Sequence, residues 1–215
     1  MSFEKLEKEN QNKVINAACE VFARHGYRKA SMKDIAERCG VSKSVLFKYF
    51  STKENLYRRI FRLASDGIRE ADHLARLEAA GDKDTFSLMR RSAKARLALF
   101  KEFPWFYKFS YTAAFDPDPF VKDLVKQELE NYRRSQLAAT TNPLEAKEAV
   151  NAISVYQGLR KDIPLDVARQ VILWVSQGYL EDKLYQDETD PDGLEQGFAR
   201  WIDVLELMLK DTNNL

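Results

Sequence analysis

A chain of 215 residues with 45% hydrophobic and 12% aromatic content can bury a real core, which excludes wholesale disorder. Eight glycines and six prolines are few for this length and argue against an all-β or loop-rich protein. The net charge of +1 is uninformative as a total, but residues 1–62 carry fourteen Lys and Arg against seven Asp and Glu, a balance of +7, and the rest carries −6. A basic head on an acidic body is the pattern of a polyanion-binding module joined to a non-binding one.

Cys19 and Cys39 have no metal-type spacing and read as small core residues of a protein kept in a reducing compartment. No apolar signal stretch opens the sequence, and no apolar run approaches the roughly 20 residues of a membrane span. A cytoplasmic protein without metal or cofactor is expected.

The predicted elements are helical from end to end. Val14, Ala18, Val21 and Phe22 share one face of a first helix, which Gly26 stops. Ser31, with Asp34 three residues on, caps a short helix that ends at Gly40; Ser42 opens another running to Phe50. Ser51 and Glu54 form the next Ser-x-x-Glu pair, starting a long helix through Leu56, Ile60, Leu63 and Ile68 towards Ala79–Ala80. Further helices are expected over Thr85–Phe103, Phe120–Ala139, Glu145–Leu159, Leu165–Tyr185 and Leu194–Lys210. An aromatic segment, Pro104 to Phe115, and the break Asp116-Pro117-Asp118-Pro119 lie between the first two of these. The fold class is all-α. The expected division is a basic N-terminal domain over residues 1–51, a connecting helix over 52–80 and a larger helical domain over 81–215.

The informative stretch is Ser31 to Phe50, SMKDIAERCGVSKSVLFKYF. Two short helices meeting at a sharp angle need a small residue at their contact, which Ala36 supplies. They need a turn residue that tolerates positive φ, which Gly40 supplies. Ile35, Cys39, Val41, Leu46 and Tyr49 fall at the offsets that hold such a pair together. The pattern is a helix-turn-helix, whose second helix enters the major groove. Ser42, Lys43, Ser44, Val45, Phe47 and Lys48 are left facing outward. Lysines meet phosphates or guanine acceptors, serines bond to bases or phosphates, and an apolar Val45 suits a thymine methyl.

Residues 13–61 resemble the DNA-binding domain of the tetracycline-repressor (TetR) family. The matching positions are Ala17-Ala18, Phe22, Gly26-Tyr27, Ser31, Ile35-Ala36, Gly40-Val41-Ser42, Leu46-Phe47, Tyr49-Phe50, Lys53-Glu54 and Leu56. The resemblance implies a recognition helix over Lys43–Phe50. It places Tyr49 and Lys53 at the DNA backbone, with Ser31 and Lys33 adding contacts from the preceding helix. Ser44 stands where many relatives carry Gly, and Phe47 replaces a frequent Tyr. For Tyr49, burial is the rival reading.

The same resemblance implies that the last two helices build a four-helix bundle across a two-fold axis. Leu173, Leu180, Phe198, Trp201, Ile202, Leu205 and Met208 are the candidate interface, and a homodimer on double-stranded DNA follows. Phe103, Trp105, Phe106, Phe109 and Tyr111, with Tyr132, Tyr156 and Trp174, either line a pocket for a small hydrophobic, aromatic or cationic effector or fill the core. The expected function is a transcriptional regulator, a repressor released from a palindromic operator by that effector. The alternative is a DNA-binding factor of the same fold that has no ligand and acts through a protein partner. His25 and His73 lack partners at catalytic or metal spacing, and no nucleophile motif or phosphate-cradling loop appears, so no enzyme activity is expected.

Overall fold

The computed structural model describes residues 3–77, 84–138, 158–185 and 190–211. A short 3-10 turn, Phe3–Lys5, precedes α1 (Lys8–Lys29), α2 (Met32–Cys39), α3 (Lys43–Phe50) and α4 (Lys53–Leu77). There follow α5 (Thr85–Glu102), α6 (Phe106–Phe115), α7 (Pro119–Ala138), α8 (Leu165–Tyr185) and α9 (Pro191–Leu209). The aromatic segment after Pro104 is thus a helix of its own. The helix expected over Glu145–Leu159 lies almost wholly outside the described residues, as do Ala79 and Ala80. No helix among the described residues is long and apolar enough to cross a membrane.

Local chemistry explains where the helices begin and end. Gly26 breaks α1 as expected, at φ +67°, but one further turn follows before the chain leaves at Ala30. Asp190 accepts from the amides of Asp192 and Gly193 and puts Pro191 at the first helical position, so α9 starts three residues before Leu194. The cap of α4 comes from Thr52, whose hydroxyl accepts from Asn55, and not from Ser51. Ser51 is spent on turning the chain, at φ +63°.

The chain forms two compact units, through both of which α4, α5 and α7 run. The first comprises 1–69 and 99–132. Its core joins Val14, Phe22, Ile35, Leu46 and Ile60 from the first four helices to Phe103, Phe106, Phe109, Val121 and Leu124 from far along the sequence. Burying a side chain of this size is worth about 1.5–3 kcal/mol, so this shared core fixes α1–α4 far more firmly than helix propensity does. The second unit comprises 70–98 and 133–215, and its core is Phe86, Ile172, Ile202, Leu205 and Leu209. In that unit α8 and α9 pack so closely at Gly197 that a Cβ there would collide with the Tyr179 side chain.

Candidate nucleic-acid interface

The pair α2–α3 is built on α1. Ile35, Ala36 and Leu46 are buried in the first core, and Cys39, Val41 and Tyr49 pack against it. Ser31 caps α2 by accepting from the Asp34 amide at 3.1 Å. Gly40 takes φ +72°, which lets its own amide and that of Val41 return to Glu37 and Ala36. Ser42 then caps α3, accepting from the Val45 amide at 3.3 Å. Glu20 of α1, nearly buried, pairs with Arg38 of α2 at 2.5 Å and Arg24 at 3.0 Å, locking the two helices together.

This packing leaves one face of α3 open. Ser42, Lys43, Ser44, Phe47 and Lys48 are exposed and Val45 is half-buried. The Ser42 and Ser44 hydroxyls lie 2.9 Å apart, and the Lys43 ammonium stands 5.7 Å from the centre of the Phe47 ring. Lys33 is exposed at the start of α2 and pairs weakly with Glu37 at 3.5 Å. Tyr49 is half-buried, its ring 6.3 Å from those of Phe3 and Phe50. Part of the ring serves packing, and part reaches the surface.

Lys53 is the position whose surroundings differ most from its expected setting. Its ammonium donates to the carbonyls of Tyr27 (2.8 Å), Ala30 (3.1 Å) and Arg28 (3.3 Å), and lies over the Tyr27 ring at 4.5 Å. Three donors meet three carbonyls at the C-terminal end of α1, where the helix dipole favours a cation. Burial, together with the charges of Glu54 and Asp118, pushes the Tyr27 phenol up to about 12, so it stays neutral beside the lysine.

The same end of α1 is gripped from the other side by the α6–α7 turn. Asp116, buried, accepts from the Tyr27 amide at 2.8 Å through one oxygen and from the Asp118 amide at 2.9 Å through the other. Asp118 accepts from Arg28 at 3.0 Å and from the Phe120 amide at 3.0 Å. The Arg28 hydrogen bond holds the Asp118 carboxyl below the usual carboxylate range. A composition reading of Asp-Pro-Asp-Pro finds only a break; a buried carboxylate facing a helix end 89 residues away leaves no local signature in sequence.

The remaining predicted site residues scatter. Phe103, Phe106 and Phe109 are core residues of the first unit, where Phe109 packs on Phe22, Tyr57 and Phe61 and Phe103 stacks on Phe106. Trp105 is half-buried under the Arg24 guanidinium at 4.7 Å, and Tyr111 is exposed beside Phe115. Trp174 belongs to the second unit and is 65% exposed. Tyr156 and the Tyr132 side chain lie outside the described residues. The candidate interface residues also divide. Leu173, Trp201 and Met208 are exposed, Leu180 and Phe198 are half-buried, and Ile202 and Leu205 point into the second core. Val204 and Leu207, missed in the sequence, join the exposed set, Leu207 at 85%.

A capped helix pair with a short turn, set on a third helix with one polar and basic face open, defines the helix-turn-helix class of DNA-binding proteins. Residues 14–60 match the model of the family described as bacterial regulatory proteins, tetR family. Over 81 residues the chain is 41% identical to the transcriptional activator FasR of Mycolicibacterium smegmatis, covering 34% of this chain and 37% of that protein. The transcriptional regulator UidR of Escherichia coli is 32% identical over 75 residues, covering 30% of this chain and 38% of UidR. The chain thus spans little more than a third of the length of these relatives. A TetR-family regulator from Chloroflexus aurantiacus shares the fold across 97% of both chains, with a TM-score of 0.55 at 17% identity. The likeness to the TetR family of bacterial regulatory proteins is thus one of sequence over residues 14–60 and of fold over nearly the whole chain. The chain's relatives are named as regulators of transcription and not as enzymes.

Proposed function

We propose that this chain is a transcriptional regulator that binds a two-fold palindromic operator as a homodimer and is released from it by a small hydrophobic, aromatic or cationic effector. The observation that carries the DNA-binding part is the open face of α3: two lysines, two serines and two apolar side chains on a helix whose other side is locked into the core. Lys43 and Ser44 stand in the first turn of α3, where base edges are met, while Lys33 and Ser31 meet the phosphate backbone from α2. Tyr49 adds its hydroxyl at the rim. Lys53 contributes from behind, by fixing the end of α1.

The effector part is supported by what the fold accommodates elsewhere. A regulator FadR of Bacillus subtilis, with a TM-score of 0.53 at 15% identity over 90% of this chain, was solved in complex with stearoyl-CoA. A hydrophobic effector is consistent with that capacity. Binding of the effector relieves repression.

Selection of the purified protein against random duplex DNA tests the proposal. The expected product is a palindrome with half-sites about one helical turn apart, and Lys43→Ala should shift the preferred base at one half-site position. Enrichment of no sequence by folded, effector-free protein would overturn the operator reading.

A further inference from the structure

The N-terminal turn ends on the recognition helix. Phe3 is only 2% exposed although it stands almost at the start of the chain. Its ring lies 5.0 Å from Phe50 and 6.3 Å from Tyr49, the last two residues of α3. The turn is tied to α1 as well. Gln11 donates its side-chain amide to the Leu6 carbonyl at 2.8 Å, and the Leu6 amide returns to Phe3 at 3.1 Å. Leu6 packs on the same core.

The end of α3 needs such support. Ser51 turns the chain at φ +63° and ψ −44°, with the Thr52 amide on the Phe50 carbonyl at 2.7 Å. A three-residue turn of that hand is strained for any residue but glycine, and such strain persists only where neighbouring packing over-determines it. An eight-residue helix has few internal bonds to resist fraying. Leu46 anchors its middle in the core, and the rings of Phe50 and Phe3 hold its last turn.

We propose that Phe3 is a positioning residue for DNA recognition: the N-terminal turn braces the last turn of α3 and so fixes the tilt at which Ser44, Phe47 and Lys48 meet the groove. The proposal rests on the DNA-binding reading above for its consequence, but its structural step is open to test in the free protein.

The experiment compares full-length wild type with Phe3→Ala and Phe3→Leu. Amide hydrogen exchange of the free protein is expected to quicken by about tenfold at Phe50–Thr52 in Phe3→Ala, while amides of Val14–Phe22 stay within about twofold. With the selected operator, the ratio of specific to non-specific affinity should fall by about tenfold and non-specific affinity hold within about twofold, with Phe3→Leu recovering most of the loss. Unchanged exchange at the end of α3, exchange raised evenly along the chain, or equal loss of both affinities would each overturn the brace. A wild type that selects no operator removes the operator reading alone; the exchange profile still decides whether Phe3 holds α3.

Discussion

A lysine at a helix end has two uses, and Lys53 shows how geometry separates them. An ammonium held by carbonyls of Tyr27, Arg28 and Ala30 has its three donors committed before any phosphate arrives. Its removal should therefore act on stability first. Lys53→Met keeps the aliphatic stem but strips the carbonyls of a charged donor, a loss of about 2 kcal/mol for bonds of this kind. The expected result is a lower melting temperature and an unchanged salt dependence of DNA binding. A log–log salt slope that falls by about 0.9 would instead place this ammonium on a phosphate. The two measurements are independent, so stability loss and phosphate contact cannot be mistaken for one another.

At the scale of elements, the α6–α7 turn does for the reading head what a cap does for a helix, but from a distance of 89 residues. Asp116 serves two buried amides at once, with Thr112 adding a weaker bond to the Ala23 carbonyl at 3.4 Å. Asp116→Ala orphans both amides, and at 1–3 kcal/mol for each such donor the expected loss is about 3 kcal/mol. Thermal unfolding followed by circular dichroism checks it; a shift of under about 2 °C would mean that water replaces the carboxylate. These elements also mark what a sequence discloses. The caps at Ser31 and Ser42, the turn at Gly40 and the buried offsets of Ile35, Ala36 and Leu46 are legible because each is set by neighbours within a few residues. The exposed face of α3 follows from them by elimination. Phe3, the Asp116 latch and the placement of Phe103, Phe106 and Phe109 in the head's core are long-range matters. Aromatic density alone has the same look in a core and in a pocket, so it does not decide between them.

At the scale of the molecule, α9 carries two apolar stripes where a monomer needs one. Ile202, Leu205 and Leu209 face the core of the second unit, whereas Trp201, Val204, Leu207 and Met208 face outward. On α8, Val167, Leu173 and Trp174 are also exposed. In the homodimer proposed above, a two-fold axis through these open side chains would cover identical patches. Such an axis gives two recognition helices, and half-sites about 34–36 Å apart match one turn of DNA. Trp201→Glu combined with Leu207→Glu puts two carboxylates on the outward stripe and leaves the inward one intact. Circular dichroism should therefore show the helices unchanged, while light scattering should give the mass of one chain where wild type gives two. Affinity for a palindromic operator should fall by at least about tenfold, because each half-site is then bound without the effective concentration that a linked partner supplies. Retention of the two-chain mass by the doubly substituted protein would move the interface off this face, and with it the expected half-site geometry.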